Sequence, residues 1–481
     1  MAAANPYPDY KNSGLNWVSR IPAHWETCKL KYAATFNPSR SESIGFCIND
    51  ALVSFLPMKC VTTDGRLKNV EARNASEVWE GFTYFRRNDV VIAKITPCFE
   101  NGKGGFLNTL PTEIGFGSTE FIVLRAVSRQ TSPAFLAKLL SLKIFRALGA
   151  DAMTGAAGQQ RVPLSFVKNF RVVLPPRAEQ DQIVAYLRAQ DAHIARFIKA
   201  KRELIGLLHE QKLRIIDHAV TRGLDPDAKL KSSGIEWLGE VPEHWEIALL
   251  KHVVDIRFSG VDKHSHDGET PVRLCNYTDV YKNDRITGDM DLMRATATAA
   301  EIARLTLEAG DVILTKDSET PDDIGVPAWV PEDLPGVVCA YHLGLLRPEP
   351  KRMLGEFLFR VISSARIAQQ FHVLATGVTR FALGKHDVKN AVIPLPPIAE
   401  QQTICRWIEA ETQPLDEAVT RAEEEIRLIR EYRDRLILDV VTGQIDVRGW
   451  QPGPDDMPSD DELAALGDDE AEPVEEAADD E

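Results

Sequence analysis

Two stretches of the chain carry apolar residues at the spacing of a helix seam. In the later one, Ile404, Ile408, Leu415, Val419, Ile426, Ile429, Leu436 and Val440 follow at intervals of three, four or seven, with charge runs such as RAEEEIRLIREYRDR among them. These intervals fit a heptad seam with some positions skipped. Subtracting 221 from each number gives Ile183, Leu187, Ile194, Ile198, Ile205, Leu208, Ile215 and Ala219, all apolar. The pattern predicts two helices of about 40 residues or more, each roughly 60 Å long. Gly223 and Gly443 are placed to end them. The matched seams favour two helices packed on each other. The alternative is two separate amphipathic helices, each lying on its own core.

The regions before these helices read differently. DVVIAKI, EFIVLRA and DVILTK are short apolar runs of strand length, and SPAFLAKLLSLKIFRALG is helical. Ser132 is placed as its N-cap and Pro133 at its first turn. LGEFLFRVISSARIAQQF is its later counterpart, and LPP closes each mixed region before a long helix begins.

These matches belong to one duplication. DVVIAK at 89–94 pairs with DVILTK at 311–316, and Thr154–Gly155 with Thr376–Gly377, at an offset of 222. LPPRAEQ at 174–180 pairs with LPPIAEQ at 395–401, at 221. Trp17, Pro22, His24, Trp25 and Glu26 pair with Trp237, Pro242, His244, Trp245 and Glu246, at 220. A nearly constant offset means a unit of about 220 residues present twice, a pseudo-dimer in one chain. The four tryptophans are expected as buried anchors, and His24 and His244 as structural hydrogen-bond formers. The first string is expected to meet the distal end of the second copy and close a circular arrangement.

Charge changes the picture only once it is located. The formal net charge is −15, but residues 451–481 hold 14 acidic and no basic residues, and the rest of the chain comes to −1. This tail is poor in aromatic and β-branched residues and is expected to be disordered. Residues 29–173 carry a net charge of +8, suited to a phosphate-facing surface, whereas residues 249–394 carry −3, which gives no such support. No run of 18 apolar residues and no signal-peptide pattern is present. Seven scattered cysteines without a CxxC point to no disulfide framework or zinc site, and to a reducing cytoplasm.

The ordered set, with SGxxWxxxxPxHWE opening each copy and LPPxAEQ opening each helix, resembles the specificity subunit of a type I restriction–modification system over roughly residues 10–450. The resemblance implies an α+β protein: two mixed α/β target-recognition domains separated by two long helices in an antiparallel coiled coil, an internal pseudo-twofold duplication. On that layout, residues 1–28 are an N-terminal segment, 29–173 the first recognition domain and 174–223 the central helix. Residues 224–248 hold the repeated Trp/His string, 249–394 the second recognition domain, 395–446 the distal helix and 447–481 the acidic tail. Each domain would read one half of an asymmetric bipartite target in double-stranded DNA, with the helices as a ruler. Two modification subunits would supply methyl transfer with S-adenosylmethionine, and two restriction subunits ATP- and Mg-dependent translocation and cleavage. The other reading is a non-catalytic coiled-coil scaffold whose globular domains bind protein.

No motif for catalysis by this chain stands out, and no cofactor or metal is expected on it. LPP is not the polar-Pro-Pro-aromatic motif that grips a flipped base, and neither GxxxxGK[ST] nor GxSxG occurs. VDKHSHDGE, with His264 and His266, reads as a solvated loop rather than a metal site, because no distant ligands are evident. The carboxylates in PDD at 321–323 lack a lysine at nuclease spacing, and NGKGG at 101–105 reads as a turn or a DNA-facing loop. Candidates for DNA contact come from the matched loops TGAAGQQR and TGVTR: Gln159, Gln160 and Arg161, then Thr379 and Arg380. Bidentate donors of these types read base edges. Lys94 and Lys316 end matched strands, and Lys103 and Lys385 are further candidates for phosphate contact.

Overall fold

A computed structural model describes residues 6–156, 158–456 and 460–467. Its two compact units are not the two sequence copies. One joins Met1–Glu203 to Ala422–Glu481, and the other is Leu204–Arg421. Each therefore contains one mixed region, the start of one long helix and the end of the other.

The first unit builds an antiparallel sheet in the order Ala34–Phe36, Phe121–Ala126, Val90–Ala93, Gly104–Phe106. A second sheet runs Glu71–Asn74, Leu52–Leu56, Ile114–Gly117, Thr83–Arg86, with its two central strands parallel. Val90–Ala93 is buried along its whole length, which is why it reads as an unbroken apolar run. The second unit repeats both sheets. Val254–Phe258, Leu343–Pro348, Val312–Thr315 and Pro327–Trp329 form the first. Met293–Ala297, Thr270–Cys275, Leu334–Cys339 and Thr306–Leu307 form the second, again with a parallel central pair. The duplication thus extends to topology in regions whose sequences have diverged. It also extends to an ion pair on a buried carboxylate: Arg125 binds Asp89 at 2.7 and 2.8 Å, and Arg347 binds Asp311 at 2.8 Å.

The stretch expected as one helix at 132–149 is two, Pro133–Leu140 and Lys143–Asp151, and its counterpart is Gly355–Ser363 and Ala365–Leu374. Leu142 and Ser364, both extended in backbone, interrupt them. The break turns Leu142 into the core and lets the Ser364 hydroxyl donate to Asp217 at 2.6 Å. Ser132 caps the first helix through Phe135 N, and Pro133 opens it.

The long helices are Arg177–Arg222 and Ile398–Val441. The expected seam residues are all buried or half-buried. In the first unit Ile183 and Leu187 share a core with Leu436, Ile437, Val440 and Val441. Further along, Asp191 binds Arg433 at 2.6 Å and Lys201 pairs with Glu425. Partner numbers fall as residue numbers rise, so the helices are antiparallel. In the second unit Ile216, Ala219 and Val220 share a core with Ile404 and Ile408, and Lys212 binds Asp416 at 2.9 Å. The second helix runs through Pro414, which leaves the Ala410 carbonyl without its helical donor. Gly223 and Gly443, both at φ 72°, end the helices in left-handed backbone.

Among the described residues no helix is long and apolar enough to cross a membrane, and no group of three or more metal-ligating side chains is found. Part of the acidic tail is folded, contrary to the expected disorder. Residues 454–456 form a 3-10 turn and Asp460–Leu463 a short helix. His193 pairs with Asp456 at 2.7 Å, Arg196 with Glu462 at 3.0 Å, and Arg202 and Arg430 bind the Gly467 carbonyl at 3.1 and 3.2 Å. The rest of that expectation, for residues 457–459 and 468–481, lies outside the described residues.

Candidate nucleic-acid interface

The repeated motifs meet each other within each unit. Glu179 of LPPRAEQ accepts Trp25 Nε1 at 3.1 Å and pairs with His24 Nε2 at 2.9 Å. Glu400 of LPPIAEQ accepts Trp245 Nε1 at 3.0 Å and pairs with His244 at 2.8 Å. The next residue in each motif faces the mixed region. Gln180 accepts from Ser132 N and donates to the Pro175 carbonyl, both at 2.9 Å. Gln401 accepts from Leu354 N at 2.9 Å and donates to the Pro396 carbonyl at 2.8 Å. The first turn of each long helix therefore clamps a Trp/His string with Glu and a mixed region with Gln. Each string also packs on the glycine that ends a helix: a Cβ at Gly443 would strike Pro22, and one at Gly223 would meet Trp245 at 3.2 Å. Tyr10 donates to the Gly443 carbonyl at 3.0 Å. The first string thus meets the end of the second helix, as expected from the repeat. Trp25 and Trp245 are fully buried, whereas Trp17 and Trp237 are only half-buried, because each lies at the rim of its core.

The predicted contact residues fall into two matched clusters. In the first unit Lys94 N donates to the Glu120 carbonyl and Val162 N to the Lys94 carbonyl, both at 2.8 Å. This pins Arg161 beside Glu120, which its Nε and Nη2 grip at 2.8–3.2 Å. The Arg161 hydrogen bonds hold the Glu120 carboxyl below its usual range. Lys94 Nζ donates to the Thr119 carbonyl at 2.8 Å and lies 3.9 Å from Glu120. Gln159 is exposed, its carbonyl accepting from Arg161 at 3.2 Å, and the Gln160 carbonyl accepts from Thr96 N at 3.0 Å. Lys103, half-buried, stands between the turn after Pro97 and the strand Gly104–Phe106.

In the second unit the same ladder forms from Lys316 N to the His342 carbonyl at 3.0 Å and from Leu383 N to the Lys316 carbonyl at 2.8 Å. The counterpart of Glu120 is therefore His342, and that of Arg161 is Ala382, not Arg380. This corrects the pairing of loop ends read from the sequence: TGVTRFA reaches the ladder in one residue fewer than TGAAGQQR. Arg380 and Thr379 stay exposed in the loop, next to Val378. Arg380 Nη2 lies 3.5 Å from His342 Nε2, and His342 Nδ1 binds Asp317 at 2.6 Å. Burial pulls the His342 pKa below its ordinary value, against the opposite pull of Asp317. Lys316 sits 4.8 Å from the Tyr341 ring centroid. Lys385 is exposed at the first position of a short helix, Lys385–Asn390. Glu120, Asp317, Tyr341 and His342 were not singled out in the sequence, although the offset of 222 places Glu120 on His342. His264 and His266 lie in an exposed loop, with His266 paired to Asp262 at 3.6 Å.

A family model described as the type I restriction modification DNA specificity domain matches residues 71–205 and 242–427. The chain belongs to this family. The type I restriction enzyme EcoEI specificity subunit of Escherichia coli is 37% identical over 166 residues, 34% of this chain and 27% of that protein. The MjaVIII specificity subunit of Methanocaldococcus jannaschii is 24% identical over 300 residues, 62% of this chain and 67% of that one. The match thus spans about a quarter of the length of the EcoEI relative. A chain from a solved structure of a type I R-M system shares the fold, with TM-score 0.63 and 17% identity, covering 88% of this chain and 99% of that one. That likeness fits two mixed regions and long helices in one chain.

Proposed function

We propose that this specificity-family chain reads an asymmetric bipartite site in double-stranded DNA, one half with each unit, and directs adenine methylation and cleavage by partner subunits. The observation that carries the reading is the clamp present twice. Each recognition-type region is fastened by Gln180 or Gln401 to the first turn of a long helix, and the helices pair antiparallel. On this reading the paired helices act as the ruler between the half-sites, and helices of about 66–69 Å would cover roughly two turns of duplex. Differing clusters at matched places, Lys94–Glu120–Arg161 and Lys316–His342–Arg380, favour different half-sites. The chain itself performs no chemistry on this reading. Two modification subunits with S-adenosylmethionine, and two restriction subunits with ATP and Mg, act where it binds.

Mapping methylated bases across the host genome, with and without this gene, tests the proposal. A split asymmetric motif with methylated adenines should vanish on deletion. An unchanged methylation map overturns the proposal and favours a protein scaffold.

A further inference from the structure

Arg161 is held in an unusual way for an exposed side chain. Its backbone is bonded on both sides, N to the Thr154 carbonyl at 2.9 Å and carbonyl to Thr154 N at 3.1 Å. Its Nε and Nη2 edge is occupied by Glu120. Glu120 in turn is fixed through its own carbonyl to Lys94 N, with the Lys94 ammonium nearby to offset its charge. A guanidinium gripped along one edge is stripped of rotamer freedom and presents its other edge, Nη1 with Nη2, outward. Among the described residues Nη1 meets the Gln159 carbonyl at 3.2 Å and Nη2 meets Glu120, which leaves one N–H on each, and the Arg161 side chain remains 45% exposed. Two parallel N–H groups at that spacing match O6 and N7 of guanine.

We propose that Arg161 reads a guanine in the half-site of the first unit and that Glu120 is its positioning residue. The second unit lacks this device. The place of Glu120 is taken by His342, and Arg380 meets only an imidazole nitrogen at 3.5 Å, with the carboxylate of Asp317 one residue further away. A fixed arginine reader is therefore built into one half of the molecule, and the two halves recognise their sites by different chemistry. This rests on the DNA-reading function proposed above.

The test uses the full chain with its modification partners and the methylated motif mapped in its host. Duplexes carrying that motif are compared with duplexes in which each guanine of one half is replaced in turn. The wild type should lose roughly 5- to 150-fold in binding at one guanine. Arg161→Ala and Glu120→Gln should both cut that loss to under about threefold at the same position. Glu120→Asp, which keeps a carboxylate, should retain part of it, and discrimination in the other half should not move. Full discrimination in Glu120→Gln overturns the proposal, as does equal weakening on every duplex, which marks Glu120 as merely structural. A motif with no guanine in either half also overturns it while leaving the function intact. Absence of any bipartite motif in the wild type sinks the function itself.

Discussion

The two copies of the Glu clamp should differ in strength by an amount set by burial. Glu179 is 8% exposed and serves three donors: Trp25 Nε1, His24 and the Tyr7 hydroxyl, which is bound very closely. Trp25 and Tyr7 are 0% and 3% exposed, so water cannot replace the carboxylate. Glu400 serves two donors, and its side chain is 29% exposed. Only Trp245 there is deeply buried. A buried donor left unsatisfied costs about 1–3 kcal/mol. Glu179→Ala orphans two such donors, for about 2–6 kcal/mol, and Glu400→Ala one, for about 1–3 kcal/mol. Hydrogen exchange read separately over residues 7–26 and 230–246 resolves the two clamps. Exchange in the first string should speed up by about 1.5 to 4 orders of magnitude in Glu179→Ala. In the second string it should rise about 5- to 150-fold in Glu400→Ala, half as many orders of magnitude. Glutamine at either position keeps one acceptor oxygen and should lose less. Equal effects, or a larger one at Glu400, would refute the argument from burial.

Other consequences can be read as directly. Burial pushes the Asp191 carboxyl up, but Lys138 and Arg433 outweigh it and hold the pKa down at about 2. A carboxyl depressed on folding stabilises above its unfolded pKa and loses that contribution as pH falls through the folded one. Between pH 5 and 2 the wild type should therefore lose about 2 kcal/mol in urea titrations that Asp191→Asn does not lose; parallel pH profiles contradict this. Removing residues 451–481 strips His193, Arg196, Arg202 and Arg430 of their bonds to the tail, along with 14 acidic charges. Binding to a duplex without the target should tighten, with a steeper salt slope; an unchanged slope means these cations face no phosphate. Gly443→Val forces a branched side chain into left-handed backbone against Pro22 and should destabilise the first unit by about 2 kcal/mol or more, read as a lower urea midpoint.

Much of this architecture was legible because periodicity survives divergence. The seams from Ile183 to Ile215 and from Ile404 to Val440 could be read from spacing alone, since heptad positions must stay apolar to stay buried. The Trp/His strings and LPPxAEQ could be matched, but not the fact that Glu and Trp bond each other, because 154 residues separate Trp25 from Glu179. The composition of the compact units was also hidden. A break between 203 and 204 falls inside an unbroken helix, where no local signal marks it. Loop ends misled for a similar reason. TGAAGQQR and TGVTR both end in arginine, but the strand ladder, not the loop, sets which residue faces Lys94 or Lys316. The tail was read from composition, which ignores the carbonyl it offers to Arg202 and Arg430 and the ion pairs His193–Asp456 and Arg196–Glu462.

On the proposed function, the paired helices act as the ruler between the two half-sites. One heptad inserted into each helix, after Glu203 and before Ala422, keeps the seam in phase and adds about 10.5 Å. That is about three base pairs at 3.4 Å each. Mapping the methylated motif in cells carrying this variant tests the claim most directly. Both half-sites should persist unchanged, with the gap between them longer by about three base pairs. Both half-sites with the original gap would contradict it.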